Sequence, residues 1–358
     1  MDINDILAKL NKIHDLSGRY DSFNVQNIIN ELTLFNKQGD IVMSDTTRHF
    51  YHSHVNENDD VSDVICSYYD RVQKKKNILL NIDKPSLFTN NIKNNIKNII
   101  KKIHTIGFTF LDTIDEKIIN TILTKLKNLK FYSRSTRQKI GTQIITIPSI
   151  PYYIDHLDTL EAHTYFVNQH NHHDITDLLN IEEISKLIVD PTILQSAQDF
   201  LGCIPKLQCL NLWITFKEQT NNRNELSFAA QHWHQDNDCH KFFKVFVYLN
   251  DVDEENAAHE IITNSKNTIK NMLKTRPKRR GDIINSKNKQ ILSGKKGSII
   301  LEDTRNNHRG GEVLDPKKYR ILLHWWYGSN NYGNKNLQIF DKTKINHTIL
   351  NDHIGIVL

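Results

Sequence analysis

The sequence predicts a mainly β core, an antiparallel barrel or jelly roll, with helices flanking it. Three observations lead there. After Gly202 the chain runs through "KLQCLNLWITFK", "HKFFKVFVYLND", "KGSIILEDT" and "YRILLHWWYG", each rich in β-branched and aromatic residues and bounded by turn formers. No long helix-forming stretch separates these runs in the way a parallel sheet requires. Before Gly202 the apolar residues instead recur three and four apart, the period of surface helices.

Taken in order, the first eighty residues are polar with helical patches, among them "MDINDILAKLNKIHDLSGRY" and, at their end, "DVICSYYDRVQKKKNILLNI". "NNIKNNIKNIIKKIHTIG" predicts a helix ended by Gly107. "FTFLD" follows as a short strand. "TIDEKIINTILTKLKNLKFY" is then a helix with Thr113 as N-cap and acidic residues in its first turn. "DITDLLNIEEISKLIVDPTILQSAQDFLG" predicts a helix broken near Pro191 and stopped at Gly202. Among the strands lies "NSKNTIKNMLKTRPKRRGDIINSKNKQ", a basic, polar stretch of a length that is usually functional or disordered. The resulting division is an N-terminal, mostly helical extension (1–80), a jelly-roll domain (81–328) with a basic insertion at 264–295, and a C-terminal tail (329–358).

Composition narrows the function classes. The chain has 358 residues, 38% hydrophobic and 24% charged, which suits a soluble globular protein with a sizeable core. No apolar run is long enough to cross a bilayer, and the N-terminus shows no apolar segment followed by a small-residue cleavage site. Cys66, Cys203, Cys209 and Cys239 form no close pair of the zinc-ribbon kind and suggest no disulfide framework. A cytoplasmic protein without membrane contact is therefore expected. A net charge of +5 is mild for this length; it permits an anionic substrate and does not call for nucleic acid. The stretch "KTRPKRRG", residues 274–281, admits three readings: a solvated loop, a contact to an anionic substrate group, or a nucleic-acid patch. The first is the commonest fate of a charge run.

Candidate metal ligands come from the spacing H-x-D. On an extended strand residues i and i+2 share a face, so two ligands reach one ion from one element. Three pairs fit: His156/Asp158, His172/Asp174 and His234/Asp236. Asp174 sits where a helix N-cap belongs, and His156 lies in a mixed segment between predicted helices. His234 and Asp236 directly precede the buried run "FFKVFVYLNDV", so they can face a barrel interior. A third ligand is available in His308, 72 positions after Asp236 and in a turn between two predicted strands, and Arg320 follows at the start of "YRILLHWW". Two histidines and one carboxylate on a facial triangle leave three open positions, the arrangement of non-haem Fe(II) oxygenases. A strand-borne arginine nearby can clamp a carboxylate in bidentate fashion. His232, Asp238 and His240 share the His234 face in a regular strand and read as mouth residues rather than ligands; Cys239 points to the core. Lys244, Phe246 and Tyr248 alternate along the next strand as pocket lining, and Thr304 and Asn211 are candidate hydrogen-bond donors to a bound acid.

From about Phe108 to Gly328 the chain resembles the phytanoyl-CoA dioxygenase-like branch of the Fe(II)/2-oxoglutarate-dependent oxygenases. The pieces that carry the resemblance are "FLGCIPKLQCLNLWITF", "HWHQD", "FKVFVYLNDVDEEN" with "ITNSKN", "GSIILEDTRNNHRGG" and "YRILL". The resemblance implies a double-stranded β-helix of the cupin type, Fe(II) held by His234, Asp236 and His308, and Arg320 on the distal carboxylate of 2-oxoglutarate. It implies a hydroxylase that consumes 2-oxoglutarate and O2 and releases succinate and CO2, acting on a small-molecule or carrier-linked metabolite. Asp236 argues against a halogenase, which needs a small residue in the carboxylate's place. Two alternatives remain: an oxygenase acting on protein or nucleic acid, and a non-catalytic jelly-roll module whose metal site is incomplete or blocked by a side chain. The chain departs from the family after the "DEEN" turn, where members read Gly-Pro and this chain has Ala257, Ala258 and His259.

Overall fold

A computed structural model describes Ala8, Asn30 and residues 86–88, 95–129, 131–133, 136–140, 143–147, 151–152, 167–168, 176–202, 205–216, 231, 233–236, 242–265, 287–315, 317–328, 339–340 and 356–357. Several sequence features lie outside these residues. They are the helical patches at 1–20 (Ala8 apart) and 63–82, the His156/Asp158 and His172/Asp174 pairs, His232, Asp238, Cys239, His240, Cys66, Cys203 and the basic stretch 274–281.

Helix α1 (Ile96–Ile106) ends at Gly107, whose φ of 98° is the left-handed C-cap its sequence anticipates. Strand β1 (Phe108–Phe110) follows, then helix α2 (Glu116–Leu126). The cap of α2 is Asp115, which accepts from the Lys117 N–H, and not Thr113. The reason is tertiary. Leu111 and Ile114 still donate to the carbonyls of Ile299 and Gly297, so the chain leaves the sheet two residues later than local signals suggest. Strands β2 (Phe131–Ser133), β3 (Thr136–Ile140), β4 (Gln143–Ile147), β5 (Pro151–Tyr152) and β6 (Val167–Asn168) come next, β3 and β4 forming a separate antiparallel pair. The helical run before Gly202 divides into α3 (Thr176–Leu179), α4 (Glu182–Ile188) and α5 (Pro191–Leu201). Asp190 caps α5 by accepting from Thr192 and Ile193 N–H groups, Pro191 occupies the first turn, and Gly202 closes it at φ 76°.

The core strands are β7 (Lys206–Thr215), β8 (Phe242–Tyr248), β9 (His259–Ile262), β10 (Lys289–Leu292), β11 (Ile299–Glu302), β12 (His308–Gly310) and β13 (Arg320–Gly328). They form two antiparallel sheets. The larger has the order β1-β11-β8-β13-β7-β6-β2-β5; the smaller has β10-β9-β12, with His234 bridging to His308 at its β12 edge. The pairings are nested: β9 with β10, β8 with β11, His234 with β12, β7 with β13. A chain folded back on itself in this way, switching sheets as it goes, is a jelly roll, the double-stranded β-helix that the sequence predicts. Short strands β14 (Ile339–Phe340) and β15 (Ile356–Val357) pair in parallel within the C-terminal stretch.

Every residue of β8 and β13 is buried, because both faces of the large sheet are covered. Phe243, Val245, Val247, Leu323, Trp325 and Tyr327 pack with helical residues such as Ile103, Leu187 and Phe200. Tyr327 Oη bonds the Ile188 carbonyl and receives Trp325 Nε1–H at 2.8 Å, which ties the sheet to α4. The alternate residues, Phe246, Tyr248 and Leu322, face the barrel interior with Phe108, Ile261 and Leu292. Strand β10 falls inside the span 264–295 expected to be an insertion, so residues 287–295 belong to the barrel instead. "KQIL" is four residues with no two-residue alternation to mark a strand in isolation; pairing with β9 makes it one.

Candidate metal centre

His234 and Asp236 are carried by an extended segment held at the edge of the small sheet. The His234 N–H donates to the His308 carbonyl at 3.0 Å, and the His308 N–H returns the bond to His234 at 2.9 Å. The Asp236 N–H donates to the Thr304 carbonyl at 3.0 Å. Both side chains therefore leave the same face, while Gln235 turns the other way and donates to the Ser265 carbonyl. His308 opens β12 rather than sitting in the turn before it, paired with Ile261 of β9. The turn before it is rigidly built. Arg305 grips both carboxylate oxygens of Asp303, each at 2.9 Å. Asn306 Nδ2 bonds the Asp303 carbonyl, and its Oδ1 accepts from the Ser265 N–H. The Asp303 N–H bonds the carbonyl of Gly107, and a Cβ at Gly107 would stand 2.6 Å from Asn306 Nδ2.

One ligand atom from each of His234, Asp236 and His308 lies within 4.8 Å of the others. His234 Nε2 is 3.6 Å from Asp236 Oδ1, and His308 Nε2 is 3.4 Å from Asp236 Oδ2. Ligands about 2.1 Å from a metal at right angles stand roughly 3 Å apart, so these edges need little closure. His308 Nδ1 lies 3.0 Å from the Asn306 carbonyl, which can only accept. Nδ1 therefore carries the proton, and the Nε2 lone pair faces Asp236. Burial, with His234 close by, also holds His308 below its ordinary pKa, in the neutral form a metal requires. At Asp236 burial works to raise the carboxyl, but Lys244, His308 and His234 outweigh it and hold it well below the usual carboxylate range. Lys244 Nζ sits 2.5 Å from Asp236 Oδ2.

Arg320 begins β13 opposite Thr215 and points inward, 2% exposed. Its Nη1 donates to the Ala257 carbonyl and its Nη2 to Thr215 Oγ1 at 3.2 Å; both acceptors are uncharged, and Nε has no partner. Burial lowers its pKa, with Tyr248 working the other way, and no carboxylate pairs with it among the described residues. A buried guanidinium in this condition can accept a carboxylate. Ala257 has φ 69°, and this left-handed turn is what presents its carbonyl to Arg320.

The structure thus brings the three candidate ligands together and sets Arg320 on the same inner surface. Of the secondary candidates, Thr304 Oγ1 is buried without a partner, and Asn211 Nδ2 contacts Cys209 Sγ. Phe246 lines the interior, and Tyr248 Oη is committed to the Leu292 carbonyl. Sequence reasoning passed over three interior groups. His324, on β13, has both ring nitrogens without a hydrogen-bond partner and lies edge-on to Trp213, with burial depressing its pKa strongly. His259 Nε2 stands 2.8 Å from Glu302 Oε2; burial drives Glu302 up to about 8 and His259 down to about 3, so the pair is uncharged near neutral pH. The signal was present: Arg320, Leu322, His324 and Trp326 follow the two-residue alternation that places Arg320 inside.

No protein-family model matches the sequence, and no curated protein matches it. Solved structures with a similar course of chain exist at low identity. AviO1 from Streptomyces viridochromogenes Tue57 is 12% identical over 65% of this chain and 94% of that one, with a TM-score of 0.40. HygX from Streptomyces hygroscopicus with nickel and 2-oxoglutarate bound is 14% identical over 65% and 86%, TM-score 0.40. The epimerase SnoN in complex with Fe3+, alpha ketoglutarate and nogalamycin RO is 13% identical over 66% and 84%, TM-score 0.42.

Proposed function

We propose that this chain is an Fe(II)- and 2-oxoglutarate-dependent dioxygenase that hydroxylates a small-molecule or carrier-linked metabolite. The observation that carries the reading is the convergence, on the barrel's inner surface, of a partly buried His–Asp–His triangle and a buried guanidinium whose acceptors are uncharged. His234, Asp236 and His308 would hold the iron, and Arg320 would take the distal carboxylate of 2-oxoglutarate. Iron bound there would supply the O2 chemistry that couples loss of CO2 from 2-oxoglutarate, leaving succinate, to insertion of one oxygen atom into a substrate C–H bond. The chain's own contribution is positional. The Asn306 carbonyl fixes the His308 tautomer, the reciprocal His234–His308 backbone bonds fix the spacing of two ligands, and Thr215 and Ala257 aim Arg320. Phe246, Trp326 and Leu322 keep water from the interior. A cytoplasmic site of action belongs to the same reading, supported by four cysteines without paired spacing.

The contact of Lys244 with Asp236 favours a second reading, a non-catalytic jelly-roll module in which an ammonium replaces the metal's charge. One experiment separates the two: anaerobic Fe(II) titration of the full chain, then succinate release on adding 2-oxoglutarate and O2 with a panel of metabolites. The dioxygenase reading expects one tightly bound Fe(II) and substrate-stimulated succinate. His234→Ala and Asp236→Ala should both abolish iron binding while leaving the circular dichroism spectrum intact. Iron binding by those variants equal to that of the unmodified protein would overturn the ligand assignment.

A further inference from the structure

Strand β8 turns Lys244 toward the barrel interior between Phe242 and Phe246, an unusual place for an ammonium group. Its neighbours in register are Glu302 on β11 and Trp326 on β13. The side chain is 9% exposed. Nζ stands 4.6 Å from the centre of the Trp326 ring and 5.7 Å from that of Phe242, and it meets Asp236 at Oδ2. An ammonium buried among aromatic rings is costly unless an anion balances it, and Asp236 is the anion it reaches. The two carboxylate oxygens are thereby made different: Oδ1 faces His234 at 3.6 Å, whereas Oδ2 is bonded to Lys244 at 2.5 Å and stands 3.4 Å from His308 Nε2.

We infer that Lys244 is a positioning residue that holds Asp236 Oδ2, leaves Oδ1 to a metal ion, and restrains the affinity of the site for that ion through its own charge. The inference rests on the proposed role of Asp236 as a metal ligand. It has two physical parts. A carboxylate with one oxygen pinned by a cation offers the other as a single ligand atom, and partners of this kind orient metal-binding groups. A positive charge in van der Waals contact with the ligand also repels a divalent cation in a poorly hydrated interior, where screening is weak. Lys244 thus gives the metal-free barrel a counter-charge of its own, at the expense of metal affinity.

The test is titration of the full chain with Co2+, followed by calorimetry and by visible absorption. Lys244→Met, which keeps length and removes charge, should bind Co2+ at least tenfold more tightly, with an altered Co2+ spectrum as Asp236 becomes free to use both oxygens. Its metal-free form should melt lower and gain more on adding Co2+. Lys244→Arg, which keeps the charge, should stay within about threefold of the unmodified affinity. Should Lys244→Met not fold, Lys244→Gln must show the same tightening. A merely structural lysine would lower the melting temperature without tightening the metal, and that result, or affinities equal within threefold, overturns the inference while leaving the dioxygenase reading intact. Binding by Lys244→Met but not by the unmodified chain at millimolar Co2+ supports the inference and overturns the dioxygenase reading. Binding by neither overturns both.

Discussion

Replacing Arg320 by Met removes the guanidinium and keeps an unbranched, apolar chain in its place. In the protein as it stands, Nη1 and Nη2 each give one of their two N–H groups to the Ala257 carbonyl and Thr215 Oγ1, which leaves Nε–H, one N–H on each terminal nitrogen and the full positive charge for a ligand. A hydrogen bond to a charged group contributes about 1.5–3 kcal/mol, and the upper part of that range applies where water is excluded. Loss of about 3 kcal/mol corresponds to about a hundredfold in affinity, since each 1.4 kcal/mol is a factor of ten. The assay is calorimetric titration of 2-oxoglutarate into the Mn2+-loaded full chain. Arg320→Met should bind it about a hundredfold more weakly, and Arg320→Lys, which keeps charge but not the fork, about tenfold more weakly. Mn2+ affinity should stay within threefold, because Arg320 touches none of the three candidate ligands. A thermal-shift measurement gives an independent check: ligand at a hundred times its dissociation constant stabilises by about 2.7 kcal/mol, and Arg320→Met should show almost none of this at the same concentration. Affinity retained within threefold in Arg320→Met would refute the assignment of Arg320 as the carboxylate clamp.

Two further outcomes follow from the interior and from the turn before His308. Glu302 has a folded pKa raised to about 8 by burial, against an ordinary 4.5, so its contribution to stability is complete below the ordinary value and is lost as pH rises through about 8. Urea unfolding of the metal-free chain should therefore lose stability between pH 5 and pH 8. Glu302→Gln should flatten that slope by an amount on the order of 3 kcal/mol, and identical slopes would show that the carboxyl is ionised in the folded state. Gly107→Ala should lower stability by about 1–3 kcal/mol, because φ is 98° and the new methyl would meet Asn306 Nδ2. Since Asn306 holds the His308 ring, Co2+ affinity should drop in the same variant; an unchanged melting temperature would count against this account.

The central strands of the large sheet were legible in the sequence; its strands β2, β5 and β6, with Phe131 and Tyr132 expected to end a helix, and the whole small sheet were not. Strands β7, β8, β11 and β13 are buried on both faces, so "KLQCLNLWIT", "FFKVFVY", "IILE" and "RILLHWWYG" read as dense apolar runs. Strands β9, β10 and β12 have three or four residues each and owe their form to pairing, which no local propensity reports. The same division applies to the site. His234 and Asp236 are candidates by spacing together with the buried run that follows them, which sets them apart from two other H-x-D pairs, and His308 and Arg320 by the order of the strands. Lys244, His259, Glu302 and His324 come together only when β8, β9, β11 and β13 are laid side by side. Thr113 failed as a helix cap for a related reason: backbone bonds from Leu111 and Ile114 to the neighbouring strand delay the helix to Asp115.

The bridge between His234 and His308 carries one more consequence. An ion held by both residues, as proposed, ties together two points separated by β8, β9, β10 and β11. It would then behave as a reversible cross-link. Closing a loop of this length removes conformational freedom from the unfolded chain worth about 4 kcal/mol in the chain-entropy account of disulfides. Withdrawal of the ion by a chelator would forfeit that restraint at once. Opening should begin where the tie is made, so hydrogen exchange at the His234 and His308 amides should accelerate before that of β8 and β13.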